Sequence, residues 1–432
     1  MNFAVSERYL LSLGNEVSAM KLGLASMRRL LAELGNPQTK FVKIQIAGTN
    51  GKGSVCAFLD AMLRSANLKV GLYTSPHLTS MTERIRVGNK EIDEVTFARL
   101  ATRVRRASES LVERGDLDAV PTFFEQMTAI ALLAFAKAKA DVAILETGLG
   151  GRLDATTAAD AEIAAITRID RDHEKYLGRS LAKIAAEKAA IIRPSTQFAV
   201  LGEQTPSVRQ QLQKHCRDNN VESIEAGEVV LKSEIGGVEF TSQRASYRVK
   251  KLALLGEHQI ENAKVAIALA ESLPNRFKIP RKAIESGLRS AKNPGRLERI
   301  GRFLLDGAHN PNGIAALANY IHGNIDAPIT VIFAVMEDKN SRVMMRELFP
   351  LARTIVLTEA ANSRSKPYKE LLKEMPADVS KERTFVTDSV GSALKVALAA
   401  DTEADIVVAG SLYLVGEVRA RLSRRSDNLK IA

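Results

Sequence analysis

The chain has 432 residues, which is too long for one ordinary domain, so we expect two or three. With 45% apolar and 26% charged residues it has the composition of a globular protein with a large core. The net charge of +11 would suit a nucleic-acid partner, but the 61 basic residues are interspersed with 50 acidic ones and tryptophan is absent. We therefore predict no nucleic-acid partner. The short basic runs are interpreted as solvated helix faces; they are Arg103, Arg105 and Arg106, and then Arg419, Arg421, Arg424 and Arg425.

Two cysteines and the absence of long apolar runs indicate the compartment. Cys56 and Cys216 lie far apart and fit neither a disulfide framework nor a zinc site, so we expect buried thiols in a reducing environment. The N-terminus lacks the basic segment and cleavage site of a signal peptide, and no run approaches the roughly 18 apolar residues that span a bilayer. We expect a cytoplasmic monomer without a membrane partner.

The first part of the chain alternates strand and helix patterns. Helical spacing covers Val55–Ser65 and Phe123–Ala138. Apolar runs or alternation predict strands at Phe41–Ala47, Lys69–Tyr73, Asp141–Glu146, Ala161–Thr167 and Gln197–Leu201. Strands alternating with helices indicate a parallel sheet that is covered on both faces.

The second part begins with a change of pattern. Short alternating runs from Val229 to Leu255, with Gly236-Gly237, predict an antiparallel hairpin, and a helix follows at Gln259–Leu273. Pro294-Gly295 breaks the chain, after which a helix follows Pro311 and strands are predicted at Arg302–Leu305, Thr330–Val335, Thr354–Leu357, Thr384–Val386 and Asp405–Ala409. The predicted fold class is α/β, with a phosphate-loop ATPase domain of mostly parallel sheet in residues 1–293 and a smaller Rossmann-like domain in residues 294–432.

A glycine-rich segment between the first strand and its helix predicts a nucleotide site. In such a loop backbone N–H groups surround phosphate oxygens and a lysine, here Lys52, reaches the outer phosphates. Two positions depart from the common pattern, because Ile46 replaces a glycine and Gly53 stands where most phosphate-loop enzymes have the magnesium-binding hydroxyl. The residues predicted to bind ATP are Thr49, Asn50, Gly51, Lys52, Gly53 and Ser54.

Other polar residues follow the neighbouring strands and predict a metal site. Loops at the carboxyl ends of parallel strands converge on one crevice, so the hydroxyl of Ser75 could replace the missing loop hydroxyl. Glu146 ends a buried strand, as magnesium-binding acids commonly do. His173 lies beside the next strand but could be structural, and Lys188 could be a surface lysine that extends its charge into solvent.

The chain resembles the folylpolyglutamate and dihydrofolate synthases of the Mur ligase superfamily over nearly its whole length. The matching segments, in chain order, are GTNGKGS at Gly48, TSPHL at Thr74, ERIRV at Glu83, TFFEQMTAIALLAF at Thr122, LETGLGGRLDATT at Leu145, DHEKYLG at Asp172, IAAEKAAI at Ile184, GEHQIENA at Gly256, PGRLE at Pro294, DGAHNP at Asp306 and GSLYLVGEVR at Gly410.

This resemblance implies an ATP-dependent ligase that adds L-glutamate to dihydropteroate, to folate polyglutamates or to both. The substrate carboxylate attacks the γ-phosphate to give an acyl phosphate, which the amine of glutamate displaces. By resemblance Ser75 and Glu146 hold one Mg²⁺, His173 binds a second, and Lys188 is carbamylated. Lys52, Lys188 and His173 are then the catalytic residues.

The resemblance also implies the remaining contacts. Asn262 should contact adenine, Arg296 the phosphates and Asp306 the nucleotide, while His309 and Ser411 are assigned to glutamate. The implied pteroate-binding residues are Thr122, Phe123, Phe124 and Glu125, then Leu153, Asp154 and Ala155, with Phe124 stacking on the pterin ring.

Some positions depart from the family pattern and leave alternatives open. Arg168-Ile169-Asp170-Arg171 and Ala189-Ala190 differ from the usual residues and could alter specificity. A Mur-type ligase of cell-wall precursors shares the loop and lysine, but the TSPH segment and Gly53 favour the folate branch. A phosphate-loop protein that binds nucleic acid would have no use for DGAHNP, and a binding-only relative should lack Lys52, Glu146 or Lys188. The sequence does not choose between the two folate activities.

Overall fold

The computed structural model describes residues 1–14, 23–234, 237–326 and 328–430, without the side chains of 233, 234 and 424–430. The chain divides into two compact units. The first comprises Met1–Ala253 and Gln259–Lys292, and the second comprises Leu254–His258 and Asn293–Ala432. Gly236 of the predicted hairpin lies outside the described residues.

The first unit is built on an eight-stranded sheet in the order β4-β3-β2-β5-β1-β6-β7-β8. The six strands from β2 to β8 in this order run parallel, and β3 and β4 are antiparallel. The strands are β1 Val42–Ala47, β2 Val70–Tyr73, β3 Ile85–Val87, β4 Lys90–Glu91, β5 Val142–Glu146, β6 Ile163–Ile166, β7 Phe198–Leu201 and β8 Glu222–Glu225. Both β1 and β5 are buried along their whole length. β5 is a continuous apolar run up to Glu146, as is typical of parallel strands, whereas in β1 apolar residues alternate with the buried polar residues Lys43 and Gln45.

Helices surround this sheet. They are α1 Phe3–Ser12, α2 Ala25–Glu33, α3 Lys52–Ser65, α4 Glu94–Glu113, α5 Phe123–Ala138, α6 Glu174–Leu177, α7 Leu181–Ala189, α8 Pro206–Asp218, α9 His258–Ser272 and α10 Arg281–Ser290. In α5 a reciprocal capping box between Thr122 and Glu125 satisfies backbone donors at the first turn. The thirteen residues from Phe123 to Phe135 are all buried, so α5 is a core helix.

A small antiparallel sheet follows β8 in the chain. Its strands are β9 Val230–Glu234, β10 Gly237–Thr241 and β11 Ser246–Val249, with β10 in the middle. The sequence predicted a hairpin here, and the structure adds a third strand to it.

The second unit contains a six-stranded sheet in the order β12-β13-β17-β14-β15-β16. Only β12 is antiparallel to its neighbour. The strands are β12 Glu298–Ile300, β13 Phe303–Leu305, β14 Ile329–Phe333, β15 Ala352–Leu357, β16 Thr384–Val386 and β17 Asp405–Ala409. The helices are α11 Pro311–Asn324, α12 Ser341–Leu348, α13 Tyr368–Lys373, α14 Val390–Ala400 and α15 Leu412–Lys430.

The predicted α/β fold class, with a mostly parallel first sheet and a separate second α/β domain, is confirmed. Both cysteines are free and buried, and burial raises the pKa of the Cys216 thiol to about 11. No helix among the described residues combines the length and apolar content needed to cross a bilayer.

Candidate functional site

The phosphate loop joins β1 to α3 and contains two glycines in the left-handed region. Gly48 has φ 151° and Gly51, which precedes the first residue of α3, has φ 91°. A Cβ atom at Gly48 would collide with the Thr167 hydroxyl, and one at Gly51 with the side-chain oxygen of Asn262. Glycine is therefore required for conformation and for space. Asn262, the predicted adenine contact on α9, lies directly against the loop.

The loop is anchored through its backbone to the segment after β6. The amides of Thr49 and Asn50 donate to the Arg168 carbonyl at 2.9 and 3.3 Å. The Thr49 hydroxyl also donates to the Asp170 carbonyl and accepts from the Asp170 amide, both at 3.0 Å. The Arg168 side chain is 51% exposed and lies 3.4 Å from Asp170 and 3.3 Å from Glu203. The residue that departs from the family pattern at position 168 thus supports the loop by its main chain.

Two lysines meet at the start of this loop. Lys52 Nζ donates to the Gly48 carbonyl at 3.1 Å, and Lys188 Nζ donates to the same oxygen at 2.7 Å. Lys188 is only 5% exposed, so the alternative of a solvent-exposed surface lysine is wrong. Burial, and secondarily the charge of Lys52, lowers the pKa of Lys188 to about 7. The lowered pKa favours the unprotonated, nucleophilic form of this amine relative to an ordinary lysine.

The helix that carries Lys188 is held by the glycine-rich segment after β5. The Arg152 amide donates to the Glu187 carbonyl at 2.9 Å, and the two side chains form an ion pair at 2.9 Å. Ser180 caps the first turn of α7 by accepting from the Lys183 amide at 3.2 Å. These contacts fix the position of α7 relative to the phosphate loop, and hence the position of Lys188.

Ser75 and Glu146 lie at adjacent strand ends. Because β2 and β5 are paired neighbours, the residues that follow them share one edge of the sheet. The Ser75 amide donates to Glu146 Oε2 at 3.2 Å, and Glu146 is 5% exposed. A hydroxyl and a carboxylate are oxygen ligands of the kind that Mg²⁺ takes.

His173 lies beside an acid that was not among the predicted ligands. Asp172 is 9% exposed; its Oδ1 accepts from the His173 amide at 2.8 Å, and its Oδ2 lies 3.9 Å from His173 Nε2. The negative charge of Asp172 also raises the pKa of Lys188 and so partly offsets the effect of burial. Within the described part of the chain no three His, Cys, Asp or Glu side chains form a metal-binding cluster. Mg²⁺ here would depend on phosphate oxygens and water, as is usual for this ion.

At the start of α5, the polar side chains of the predicted pteroate-binding segment are hydrogen-bonded mainly to each other. The Glu125 carboxylate accepts from the amide and the hydroxyl of Thr122, both at 2.8 Å, and from the hydroxyl of Ser26. Phe124 is 9% exposed, and its ring packs over Gly148. Ser26, on α2, is far from Glu125 in the chain, and no local sequence pattern indicates this contact.

Asp154, in the second predicted pteroate-binding segment, organises its own loop. Its carboxylate accepts from the amides of Gly148 at 2.8 Å and Leu149 at 3.0 Å. It also accepts from the amide of Thr156 at 3.0 Å and from its hydroxyl. Burial raises the pKa of Asp154 while these donors oppose the rise. Ala155 is 4% exposed and Leu153 is half-buried, so of this segment Leu153 is the most accessible.

Arg84 connects the TSPH segment to α5, a contact that no sequence pattern indicated. Arg84 Nε donates to His77 Nδ1 at 2.8 Å, and the Arg84 guanidinium carbon lies 5.3 Å from the centre of the Phe123 ring. Burial, followed by the nearby Arg84 charge, lowers the pKa of His77 to about 3. His77 is therefore neutral in the physiological range, and its Nδ1 acts as an acceptor.

In the second unit Asp306 closes the turn after β13. Its carboxylate accepts from the amides of Leu297 and Ala308, both at 2.8 Å. Burial raises the pKa of Asp306, and the charge of Arg296 opposes that rise. The predicted phosphate-side residues Arg296 and Asp306 are thus neighbours within this unit.

His309 and Ser411 follow two neighbouring strands of the second sheet. His309 Nδ1 lies 2.8 Å from the Gly307 carbonyl, and the Ser411 hydroxyl accepts from the Tyr413 amide at 3.1 Å. Ser411 is 1% exposed. Since β13 and β17 are parallel and paired, both residues lie at the same edge of the sheet.

Comparisons with known proteins agree with this architecture. The family model described as "Mur ligase middle domain" matches residues 46–270, and "Dihydrofolate synthetase, C-terminal domain" matches residues 295–422. A Halobacterium salinarum protein described as "Probable bifunctional folylpolyglutamate synthase/dihydropteroate synthase" is 36% identical over 94% of this chain. The chain spans only 50% of that relative's length.

Two further relatives are matched over nearly their whole length. The Bacillus subtilis "Dihydrofolate synthase/folylpolyglutamate synthase" is 33% identical, covering 93% of this chain and 95% of the relative. The Mycobacterium tuberculosis folylpolyglutamate synthase, solved in complex with ADP and AMPPCP, superposes with a TM-score of 0.87 and 31% identity, over 98% of this chain and 99% of that one. The chain therefore belongs to the dihydrofolate synthase/folylpolyglutamate synthase family of the Mur ligases.

Proposed function

We propose that the protein is an ATP-dependent ligase that joins L-glutamate to dihydropteroate, to reduced folates or to both through an acyl phosphate. The observation that carries the proposal is the buried Lys188, whose ammonium shares the Gly48 carbonyl with Lys52 of the phosphate loop. A buried lysine of lowered pKa at a nucleotide loop has no structural necessity, because an apolar residue would fill that space at lower cost. The family membership supplies the substrates.

Nucleotide binding is assigned to the loop and to α9. The loop residues from Thr49 to Ser54 surround the phosphates, Lys52 leaves the Gly48 carbonyl to reach them, and Asn262 contacts the adenine. Arg296 and Asp306 are also assigned to nucleotide binding. In this reaction the enzyme positions the groups and neutralises charge, since the substrate carboxylate itself attacks the γ-phosphorus and ADP leaves.

Lys188 is proposed to react with carbon dioxide. The neutral Nζ attacks the carbon, a C–N bond forms, one C=O bond becomes a carboxylate and a proton leaves. The product is a carbamate anion beside the positive charge of Lys52, and it replaces an amine whose protonated form is disfavoured by burial. The lowered pKa of Lys188 supports this step, because only the unprotonated amine reacts.

Ser75 and Glu146 are proposed to hold one Mg²⁺, and His173 with the Lys188 carbamate a second. The ions would neutralise the negative charge that gathers on the γ-phosphate during transfer. An imidazole is a less usual ligand for Mg²⁺ than an oxygen, so the neighbouring Asp172 is a further candidate for the second ion.

The substrate contacts follow the family pattern. Thr122 to Glu125 and Leu153 to Ala155 are assigned to pteroate, and His309 with Ser411 to glutamate. The buried positions of Phe124 and Asp154 suit residues that shape a pocket wall and hold its loops. We further propose a cytoplasmic monomer that binds no nucleic acid.

One assay tests the reaction. Purified protein with ATP, Mg²⁺ and labelled glutamate is offered dihydropteroate and tetrahydrofolate separately, and labelled product is counted. Incorporation with at least one acceptor is expected, and incorporation with neither would contradict the proposal. K52M should lower kcat/KM at least about 10²-fold, as expected when a residue that stabilises transferred charge is lost.

The carbamate has its own test. Isotope-labelled bicarbonate should give a carbamate carbon signal in the wild-type protein and none in K188A. The matched control is K183M, on the exposed face of the same helix, which should retain the signal and the activity. High activity in K188A would remove Lys188 from the mechanism.

A further inference from the structure

The loop between β2 and β3 is closed at its base. Tyr73 pairs with Ile85 in the antiparallel ladder, and the Thr74 amide donates to the Arg84 carbonyl at 3.0 Å. The loop contains Ser75, the proposed magnesium ligand. Its conformation therefore decides where the Ser75 hydroxyl lies.

One acidic side chain holds the second half of this loop. The Glu83 carboxylate accepts from the amides of Leu78 at 2.7 Å, Thr79 at 2.9 Å and Ser80 at 3.0 Å. Three charge-assisted hydrogen bonds to one carboxylate fix that backbone. The half of the loop that carries Ser75 makes none of these three hydrogen bonds to Glu83.

The first half is held by Arg84 through His77. Arg84 is 3% exposed, and its Nε donates to His77 Nδ1 at 2.8 Å. Because Nδ1 accepts this bond, the ring proton of neutral His77 is on Nε2. His77 lies two residues beyond Ser75, whose own amide donates to Glu146, so the bond to Arg84 restrains the same short segment that carries the Ser75 hydroxyl.

The same guanidinium contacts the folate-side helix. Its carbon lies 5.3 Å from the centre of the Phe123 ring, within the range of a cation–π interaction. Phe123 is 4% exposed and is the first residue of α5, directly after Thr122. A planar guanidinium can donate in its plane and stack by its face at once, which a lysine ammonium cannot do.

We propose that Arg84 is a positioning residue that couples the Ser75 loop to the start of α5, so that pteroate binding and Mg²⁺ binding strengthen each other. This inference rests on the proposed function. A pteroate acceptor that binds against Thr122 and Phe123 would fix the orientation of the Arg84 guanidinium. Through the hydrogen bond to His77, this would also fix the position of the Ser75 hydroxyl. Binding of one ligand then lowers the ordering cost of the other, and the coupling is reciprocal.

The variants separate the two contacts of Arg84. R84M removes both contacts, and R84K retains the charge without the planar donor. H77L removes the acceptor, whereas H77N places an amide oxygen near the position of Nδ1 and can still accept from Arg84. R276M is the matched control, since Arg276 also lies over an aromatic ring, at 4.9 Å from Phe277, on an exposed segment.

The readouts are the affinity for ADP with and without Mg²⁺, each with and without dihydropteroate, together with KM and kcat. In the wild type Mg²⁺ should tighten ADP binding, and dihydropteroate should increase that effect. In R84M, R84K and H77L the effect of dihydropteroate should disappear, and KM for dihydropteroate should rise about tenfold, the scale of one lost charge-assisted hydrogen bond. H77N and R276M should stay within about twofold of the wild type.

The outcomes separate the two claims. Undiminished coupling in folded R84M and H77L, in a wild type that incorporates glutamate, overturns the role of Arg84 and leaves the proposed function standing. Equal loss in H77N and H77L also overturns it, because the acceptor atom would then be irrelevant. A wild type that neither binds dihydropteroate nor incorporates glutamate refutes the proposed function, and this inference with it.

Discussion

Replacing Lys188 with methionine should make the unmodified protein more stable while destroying its activity. The pKa of Lys188 falls from 10.5 to about 7, mainly because burial disfavours its charge. Each pH unit between the two values corresponds to about 1.4 kcal/mol, so the buried charge costs roughly 4–5 kcal/mol below pH 7. Methionine removes this cost but also the hydrogen bond to the Gly48 carbonyl, which contributes about 1.5–3 kcal/mol. The expected net gain is the difference, about 1–3.5 kcal/mol at pH 6.

The gain should depend on pH with a defined sign. Between pH 7 and 10.5 the unfolded chain binds a proton at Lys188 that the native chain does not, so wild-type stability rises with pH relative to K188M. The advantage of methionine should therefore shrink by about 1.4 kcal/mol per pH unit above 7. Urea unfolding in bicarbonate-free buffers from pH 6 to 10 measures both effects.

The control for this experiment is K183M, on the same helix but exposed, which should change the unfolding free energy by less than about 0.5 kcal/mol at every pH. A K188M protein that is no more stable than the wild type at pH 6 would refute the reasoning. A gain that stays constant from pH 6 to 10 would refute the part that attributes it to charge.

Two further substitutions test buried polar side chains other than those assigned to ATP, to Mg²⁺ or to the carbamate. In the second unit Lys366 Nζ donates to the Ser341 hydroxyl at 2.8 Å and to the Glu374 carboxylate at 3.0 and 3.1 Å. K366M should lower the unfolding free energy by about 2–4 kcal/mol in urea, with partial recovery in K366M/E374Q; a loss below about 0.5 kcal/mol would contradict this. D154N places an amide group opposite four donors, so it should cost about 2–3 kcal/mol and lower the melting temperature, and an unchanged melting curve would assign Asp154 to ligand contact instead.

Most of the helices and strands could be predicted from local patterns of apolar and polar residues. The helix at Phe123–Ala138 and the strands at Thr384–Val386 and Asp405–Ala409 were predicted with the bounds that the structure has. In the described parts of the two large sheets four strands were missed: Lys90–Glu91 and Glu222–Glu225 lie at the two ends of the first sheet, Glu298–Ile300 lies at one end of the second, and Ile85–Val87 is a short inner strand. Edge strands bury few side chains, so they show no apolar run or alternation that a sequence could reveal.

For the candidate site as well, residues that are contiguous in the chain were predicted and contacts between distant residues were not. The phosphate loop was found because its glycines, lysine and flanking elements are contiguous. The convergence of Lys188 on the Gly48 carbonyl joins residues 140 positions apart, and no spacing rule reaches that far. Likewise the Arg84 contacts depend on how a loop folds over a helix, which only the packed structure shows. The family resemblance implied a role for Lys188, whereas it included Arg84 only as part of the matching ERIRV segment and implied no role for it.

The five residues Leu254–His258 have a practical consequence for anyone who wishes to produce the second unit separately. They belong to that unit although Leu254–Glu257 precede α9 and His258 is the first residue of that helix. Leu255 packs against its apolar core, and Gly256 lies against Leu297. A recombinant fragment that starts at residue 293 or 294 would expose this surface and lack its covering segment. Circular permutation or a fused copy of the segment would be the sounder engineering route.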